Sequence, residues 1–417
     1  TAYLKRFHPL AFYCAQVTVH RANTETVTKY LREASEGGLS VLPPCVNASD
    51  YGFRPEGKDS IRFGLSAIKG LGDAVLDRMF ETRKEKPFSG LVDLVDRCGP
   101  RKVPKKSMTL LADAGALDFV GVPRRRVTAS LELTYNRAGR SARDREAGQF
   151  SFFDTGAMST EAEVGDAGVL DDEVGEWPDR LRLQRERDVL GFYLSGHPTK
   201  LYQRAFHRLQ MCPCGDLATR WDSNRGWGAN RRTTAAVGGL VVGKDIKNIA
   251  TYSGAAKDET VIPRRAFLVV EDTSGQVEVR MEPEVFTRYE ALVALDEPLV
   301  FQGHLMARRS GGGDEAQEDQ LQVGLNATGV RRAFEVFEEQ RVPLTLHTDL
   351  HRHSPKTIAE LRGLLSRFPG ALPPEFRIRE GKQSLHLLAA ASLSVQCTLE
   401  VLDGVEEILG RGGIEIG

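Results

Sequence analysis

Ile68-Lys69-Gly70-Leu71-Gly72 sets a cation beside two glycines one residue apart. That spacing suits phosphate. Glycine lets a turn reach positive φ and lets backbone approach a ligand closely. Amides at the N-terminus of a following helix then face outward and can hold an anion, and Lys69 adds a charge. A Gly-x-Gly turn also serves as a plain tight connection, so the motif alone leaves both readings open. A degenerate second copy runs Gly99-Pro100-Arg101-Lys102-Val103-Pro104-Lys105-Lys106. From Arg101 to Arg126, seven Lys or Arg stand against Asp113 and Asp118. Two hairpins with a net positive face suit the two strands of a duplex, gripped through phosphates without sequence preference. The residues expected at DNA are Lys69, Gly70, Gly72, Arg101, Lys102, Lys105 and Lys106.

Other reactive residue types give less. Gln149-Phe150-Ser151-Phe152-Phe153 lies in a run, Glu146 to Glu176, with nine Asp or Glu and no Lys or Arg. Such a run is expected to stay solvated. Its phenylalanines form either a peptide that docks in another protein's pocket or a staple folded back on this chain. His347, His351 and His353 with Asp349 are metal ligands by type, but no Cys accompanies them, and surface histidines are the expected reading. Six cysteines are scattered, and Cys212-Pro213-Cys214 has neither redox nor zinc-knuckle spacing, so it reads as structural in a reducing cytosol. No pair of carboxylates is set for two metal ions. The expected site therefore holds no metal and no catalytic residue.

The elements that would position these residues follow from periodicity. The chain has 417 residues, 41% hydrophobic and 27% charged, with a net charge of −1. That implies several globular domains and excludes a uniformly basic nucleic-acid binder. No run is long and apolar enough to span a bilayer, and no signal-peptide pattern opens the chain. Thr1-Ala2-Tyr3-Leu4-Lys5 reads like the middle of an element, as if the chain began inside a longer protein. Asn23 is placed to cap a helix whose face is Val27, Tyr30, Leu31 and Ala34, ended by Gly37-Gly38. Helices are expected after Gly72, around Leu91 to Val95, around Leu110 and Leu111, from Pro123 to about Arg140, and from Arg180 to Ser195. From Ala235 the period becomes two. Five strands with a helix between the third and fourth give the order of an OB-fold. From Ala235 to Gly329 there are nine Lys or Arg and fifteen Asp or Glu. That acidity opposes phosphate. Any hold on a single strand falls to Lys244, Lys247, Arg264 and Arg265, with Tyr252 or Phe267 for stacking. A purely structural barrel competes with that reading. Residues 330–417 read as a small α/β unit.

Several pieces, in order, carry a resemblance: Leu4 to Phe12, Val41 to Asn47, Ile61 to Gly72, Leu110 to Asp118, Val189-Leu190-Gly191-Phe192-Tyr193-Leu194-Ser195-Gly196-His197-Pro198, and Val269 to Glu278. Together they resemble the carboxy-terminal half of the alpha subunit of bacterial DNA polymerase III. The resemblance implies a multidomain α+β chain. It would comprise the end of a fingers domain (1–53), tandem helix-hairpin-helix (54–140) and an acidic linker (141–180). A helical connector (181–234), an OB-fold (235–329) and a carboxy-terminal domain (330–417) would follow. It implies a sliding-clamp motif at Gln149, Ser151, Phe152 and Phe153, and contact of the last domain with the tau subunit of the clamp loader. It implies duplex DNA, single-stranded template and the amino-terminal half of the polymerase as further partners, in the cytoplasm and away from membranes. The polymerising aspartates and their magnesium would belong to a palm domain preceding Thr1, leaving this chain inactive alone. Departures are an enlarged first hairpin of the barrel, Gly254 to Ile262, and the charged Arg280 and Glu282. Two rivals stand beside this reading: a free-standing DNA-binding protein of repair or recombination, and a docking scaffold that makes no DNA contact.

Overall fold

A computed structural model describes residues 2–21, 23–146, 166, 168–223, 233–249, 263–309, 321–381 and 383–417. Two compact units divide the chain, residues 1–196 and residues 197–417.

The first unit is mainly helical. Ala2–Phe7 and Pro9–Val19 lead to Thr24–Glu36, where the Asn23 side chain accepts from the Thr26 amide at 3.1 Å and Gly37 closes the end. Strands β1 (Ser40–Leu42), β2 (Arg54–Glu56) and β3 (Ser60–Arg62) form a small sheet in the order β1-β3-β2. A 3-10 turn, Leu65–Ala67, precedes the helix Asp73–Arg83. Leu91–Cys98 and Lys105–Asp113 make the second hairpin. Arg124–Glu146 and Asp179–Leu190 complete the unit. One core runs through all of it, from Phe12, Val17 and Leu31 to Phe63, Met79, Leu94, Met108 and Leu190. Residues 1–53 therefore share their core with the hairpins and form no separate body.

The second unit has two cores. Strands β4 (Thr234–Asn248), β5 (Arg264–Asp272), β6 (Gly275–Met281), β7 (Leu299–Arg309) and β8 (Leu321–Arg332) close as β4-β5-β6-β8-β7. β6 and β8 run parallel, and the helix Pro283–Val293 lies between β6 and β7. This is the OB-fold connectivity that the strand order predicted. Leu268, Val270, Val279, Phe286, Phe301 and Leu325 fill it. Strands β9 (Leu344–Asp349), β10 (Pro369–Leu372), β11 (Glu375–Glu380), β12 (Gln383–Leu388) and β13 (Ile414–Ile416) follow. Four of them form a sheet in the order β12-β11-β9-β13, and β10 stands outside it. Pro355–Arg367 and Leu399–Leu409 bury Leu361, Leu364, Val401 and Val405 in its core.

The stretch 181–234, expected as one connector, is divided. Leu183 and Leu190 are buried with the first unit's helix Asp179–Leu190. Tyr202 and Phe206 join Phe334 and Phe337 in the carboxy-terminal core. Cys212, Cys214 and Leu217 join the barrel core. The six cysteines are free thiols. Burial pushes Cys14 up to about 11 and Cys397 up to about 12, so these thiols stay protonated at neutral pH. No helix among the described residues is long and apolar enough to cross a membrane.

Candidate nucleic-acid interface

The first hairpin is held by its apolar residues. Ile61, Phe63, Leu65, Ile68 and Leu71 are buried, which turns Lys69, Gly70 and Gly72 outward. Gly70 has φ +81°, a conformation that β-carbon-bearing residues avoid. Gly72 opens the helix Asp73–Arg83 with no side-chain cap. A methyl placed on Gly70 would meet Leu110 Cδ1 at 3.3 Å, so this turn lies directly beside the second hairpin's helix. The Lys69 amide is already engaged, donating to the Val189 carbonyl at 2.9 Å. Asp73 sits in the first helical turn and accepts from the Tyr51 hydroxyl. Its carboxylate offsets the Lys69 charge where an anion would approach, which the Gly-x-Gly pattern did not reveal.

The second hairpin carries the charge. Gly99 ends Leu91–Cys98 with φ +87°, and the Lys102 amide donates back to Gly99 at 2.9 Å. Val103 is buried, which leaves Arg101, Lys102 and Lys106 exposed at the mouth of the helix Lys105–Asp113. Lys105 is half-buried, ion-paired to Glu132 and 5.7 Å from the centre of the Tyr135 ring. It serves the scaffold as well as the surface.

Arg124 and Arg126, counted in the basic run, face inward. The Arg124 guanidinium bonds Asp118 at 2.9 Å and Glu186 at 2.9 Å, and Glu186 is 1% exposed. Burial works against its charge, but the two carboxylates outweigh it and hold the guanidinium protonated above its ordinary value. The other Glu186 oxygen accepts the amides of Leu194 and Ser195, each at 2.8 Å. Residues 189–195 are thus a brace: the Val189 carbonyl fixes Lys69, and Glu186 fixes the stretch at Leu194 and Ser195. Arg126 bonds the Val174 carbonyl at 3.0 Å and Asp172 at 2.8 Å.

Those last contacts correct the view of the acidic run as solvated throughout. Asp166 accepts the Leu91 and Val92 amides at 2.9 and 2.8 Å, capping one helix. Glu176 accepts the Arg124 and Arg125 amides at 2.8 and 3.1 Å, capping another. Val169 is buried. Asp166 and Glu176 are thus used on helix N-termini, where the macrodipole favours them, while Asp171, Asp172 and Glu173 stay exposed. Gln149, Ser151, Phe152 and Phe153 lie outside the described residues, as does Tyr252.

The barrel does not gather its expected cations on one face. Register pairs Lys247 with Arg265 and Phe267 with Arg280, which puts these four on one side. Lys244 pairs with the interior Leu268, and Arg264 packs 5.5 Å from the Phe286 ring. Arg265 is taken by Glu282 at 2.8 Å, Arg264 by Glu290 at 2.6 Å, and Lys247 by Asp245 at 3.1 Å. Lys247 lies 5.3 Å from the Phe267 ring.

The histidines near β9 are also engaged. His353 Nδ1 accepts the Asp349 amide at 3.1 Å and its Nε2 faces the Leu409 carbonyl at 3.2 Å. Among the described residues, no three His, Cys, Asp or Glu converge on a point that would hold a metal ion.

Comparison with known proteins agrees with this arrangement. A family model described as a helix-hairpin-helix motif matches residues 38–127. The chain is 30% identical over 314 residues to a DNA polymerase III subunit alpha of Vibrio cholerae, an alignment covering 75% of this chain and 25% of that one. It is 26% identical over 414 residues to the Bacillus subtilis subunit, covering 99% and 33%. The chain thus spans about a quarter to a third of the length of the curated relatives it matches. A small single-stranded DNA-binding protein from Streptomyces coelicolor, a solved structure, aligns at 17% identity over 24% of this chain and 94% of its own, with a TM-score of 0.17. The barrel assignment rests on strand order and not on that likeness.

Proposed function

Since the chain is homologous, over most of its length, to the alpha subunit of bacterial DNA polymerase III, we propose that it is the duplex-holding and docking part of such a subunit, corresponding to its carboxy-terminal portion. The observation that carries this reading is the pair of adjacent hairpins, with Arg101, Lys102 and Lys106 exposed at the second and Lys69 at the first. They grip phosphates on a duplex leaving a polymerising site. The charge balance assigns most of the grip to the second hairpin. Reversing Arg101, Lys102 and Lys106 to Glu is expected to weaken duplex binding on the order of a hundredfold at 0.1 M salt, equally on all sequences. Lys69→Glu alone is expected to cost several-fold less than the triple change. Fluorescence anisotropy with two unrelated duplexes checks both, and a triple variant that binds like the parent removes the hairpins from the account.

Docking rests on two parts. Gln149 to Phe153 supplies a tether to a sliding clamp, and residues 330–417 face the tau subunit of a clamp loader. The barrel lies near single-stranded template, but the pairing of Lys247, Arg264 and Arg265 with carboxylates leaves it a minor share of the affinity. Catalysis belongs to carboxylates elsewhere in the relatives' longer chains. Primer extension by this chain with magnesium and all four nucleotides is expected to give no product. Template-dependent extension by material freed of contaminating polymerase would overturn that expectation.

A further inference from the structure

The carboxy-terminal sheet has a polar face that the preceding reading leaves unused. Register aligns His347, Arg377 and His386 across β9, β11 and β12, and aligns Asp349, Arg379 and Ser384 in the next row. Directly opposed residues on neighbouring strands share a face. Leu344 and Leu346, at alternate positions of β9, enter the core on the other side. The two polar rows line an open cleft of about 740 Å³. Arg352 and His353 from the loop after β9 and Arg411, Gly412 and Gly413 before β13 complete its walls.

Four guanidinium groups line this cleft against one carboxylate, that of Asp349. Glu415, adjacent to the first row, is ion-paired to Arg204, lies 3.2 Å from His347 Nε2 and 3.9 Å from Arg377 Nη1, and so offsets part of the charge there. The Asp349 carboxylate is partly used in accepting the His351 amide at 2.9 Å. Arg377 Nε is buried and has no hydrogen-bond partner, although the rest of the side chain is partly exposed toward the cleft. Burial, then the charges of Arg377 and Arg204 and the neighbouring His386, hold the His347 imidazolium form down, as a net positive field would.

We propose that this cleft binds a run of phosphates, as found in inorganic pyrophosphate or a nucleoside triphosphate. Planar guanidinium forks match phosphate oxygens. Arg377 and Arg379 stand two residues apart on one strand, roughly 7 Å along it. One phosphate does not span that distance, and a run of them does. The volume falls within the range of about 300–1,000 Å³ usual for small-molecule sites. The site does not depend on the hairpins or on the clamp motif.

Calorimetry of the full chain with pyrophosphate and, separately, with a nucleoside triphosphate is the test. The chain is expected to bind with a Kd below about 1 mM at 0.1 M salt. Equal affinities would assign recognition to the phosphates alone, and tighter binding of the triphosphate would add a contribution from the nucleoside; either result supports the site. Arg377→Gln combined with Arg379→Gln is expected to weaken binding by about tenfold or more. Asp349→Asn keeps an acceptor for the His351 amide and removes the carboxylate, so it is expected to tighten binding several-fold. A misfolded variant would not give that gain. The proposal is overturned by no heat from either ligand, by unchanged affinity in the double Gln variant, or by binding of a single-stranded oligonucleotide alone.

Discussion

Replacing Phe152 and Phe153 with Ala is expected to abolish binding to a sliding clamp while leaving duplex binding unchanged. Burying a Phe side chain contributes roughly 2–3 kcal/mol, so the pair supplies most of a short motif's affinity. Less the cost of ordering the segment, that leaves a Kd on the order of micromolar. Losing both rings moves it beyond about a millimolar. A ring around DNA makes even the weak tether effective, because it raises the local concentration of the polymerase at its template. Gln149→Ala is expected to cost less, since it removes polar contacts and keeps both apolar anchors. The acidic neighbours are expected to matter little at physiological salt, where exposed charges are screened. Calorimetry of the Gly148-to-Asp154 peptide and of the doubly substituted chain checks this. Unchanged affinity in the double variant would mean that the phenylalanines fold back onto their own chain.

Arg124→Met is expected to destabilise the hairpin unit by about 3–5 kcal/mol, the usual consequence of leaving a buried partner charge unpaired. Glu186, 1% exposed, would keep two backbone amides and lose its cation. For a unit of this size the thermal midpoint should fall by roughly 10 °C. Pairing Arg124→Met with Glu186→Leu is expected to cost less than the sum of the two single changes, since the double variant buries no orphaned charge. Additive losses, read by circular dichroism on melting, would show that the two side chains act separately. The Arg124 variant is also expected to loosen the first hairpin, because the brace that fixes Lys69 through the Val189 carbonyl hangs on Glu186.

How much of this was legible in the sequence depended on the range of the interaction responsible. Local signals read correctly. Asn23 capping Thr24–Glu36 and the period-two strands of the barrel are each set by neighbours a few residues away. The helix Ala333–Glu339 and the strand Pro369–Leu372 were missed, being short and fixed by packing on distant residues. Asp166 and Glu176 read as solvent-facing because their partners, the amides of Leu91 and Arg124, lie 75 and 52 residues away. For the same reason Arg124 and Arg126 counted as part of a DNA-facing patch. Among the candidate DNA contacts, Arg101, Lys102 and Lys106 are on the surface as expected, Lys105 is shared with Glu132, and the barrel's Arg265, Arg264 and Lys247 are paired with Glu282, Glu290 and Asp245. A cation's sequence position gave its location, but only the fold gave its partner.

The two hairpins are expected to hold duplex DNA through phosphates. Four exposed cations, Lys69, Arg101, Lys102 and Lys106, set the expected scale. Each phosphate neutralised contributes about 0.9 to the log–log slope of affinity against salt. Titrating the intact chain with labelled duplex between 50 and 200 mM salt tests this most directly. The expected slope is about −3 to −4, the same for unrelated sequences. A flat salt dependence, or an affinity that follows base sequence at constant salt, would contradict it.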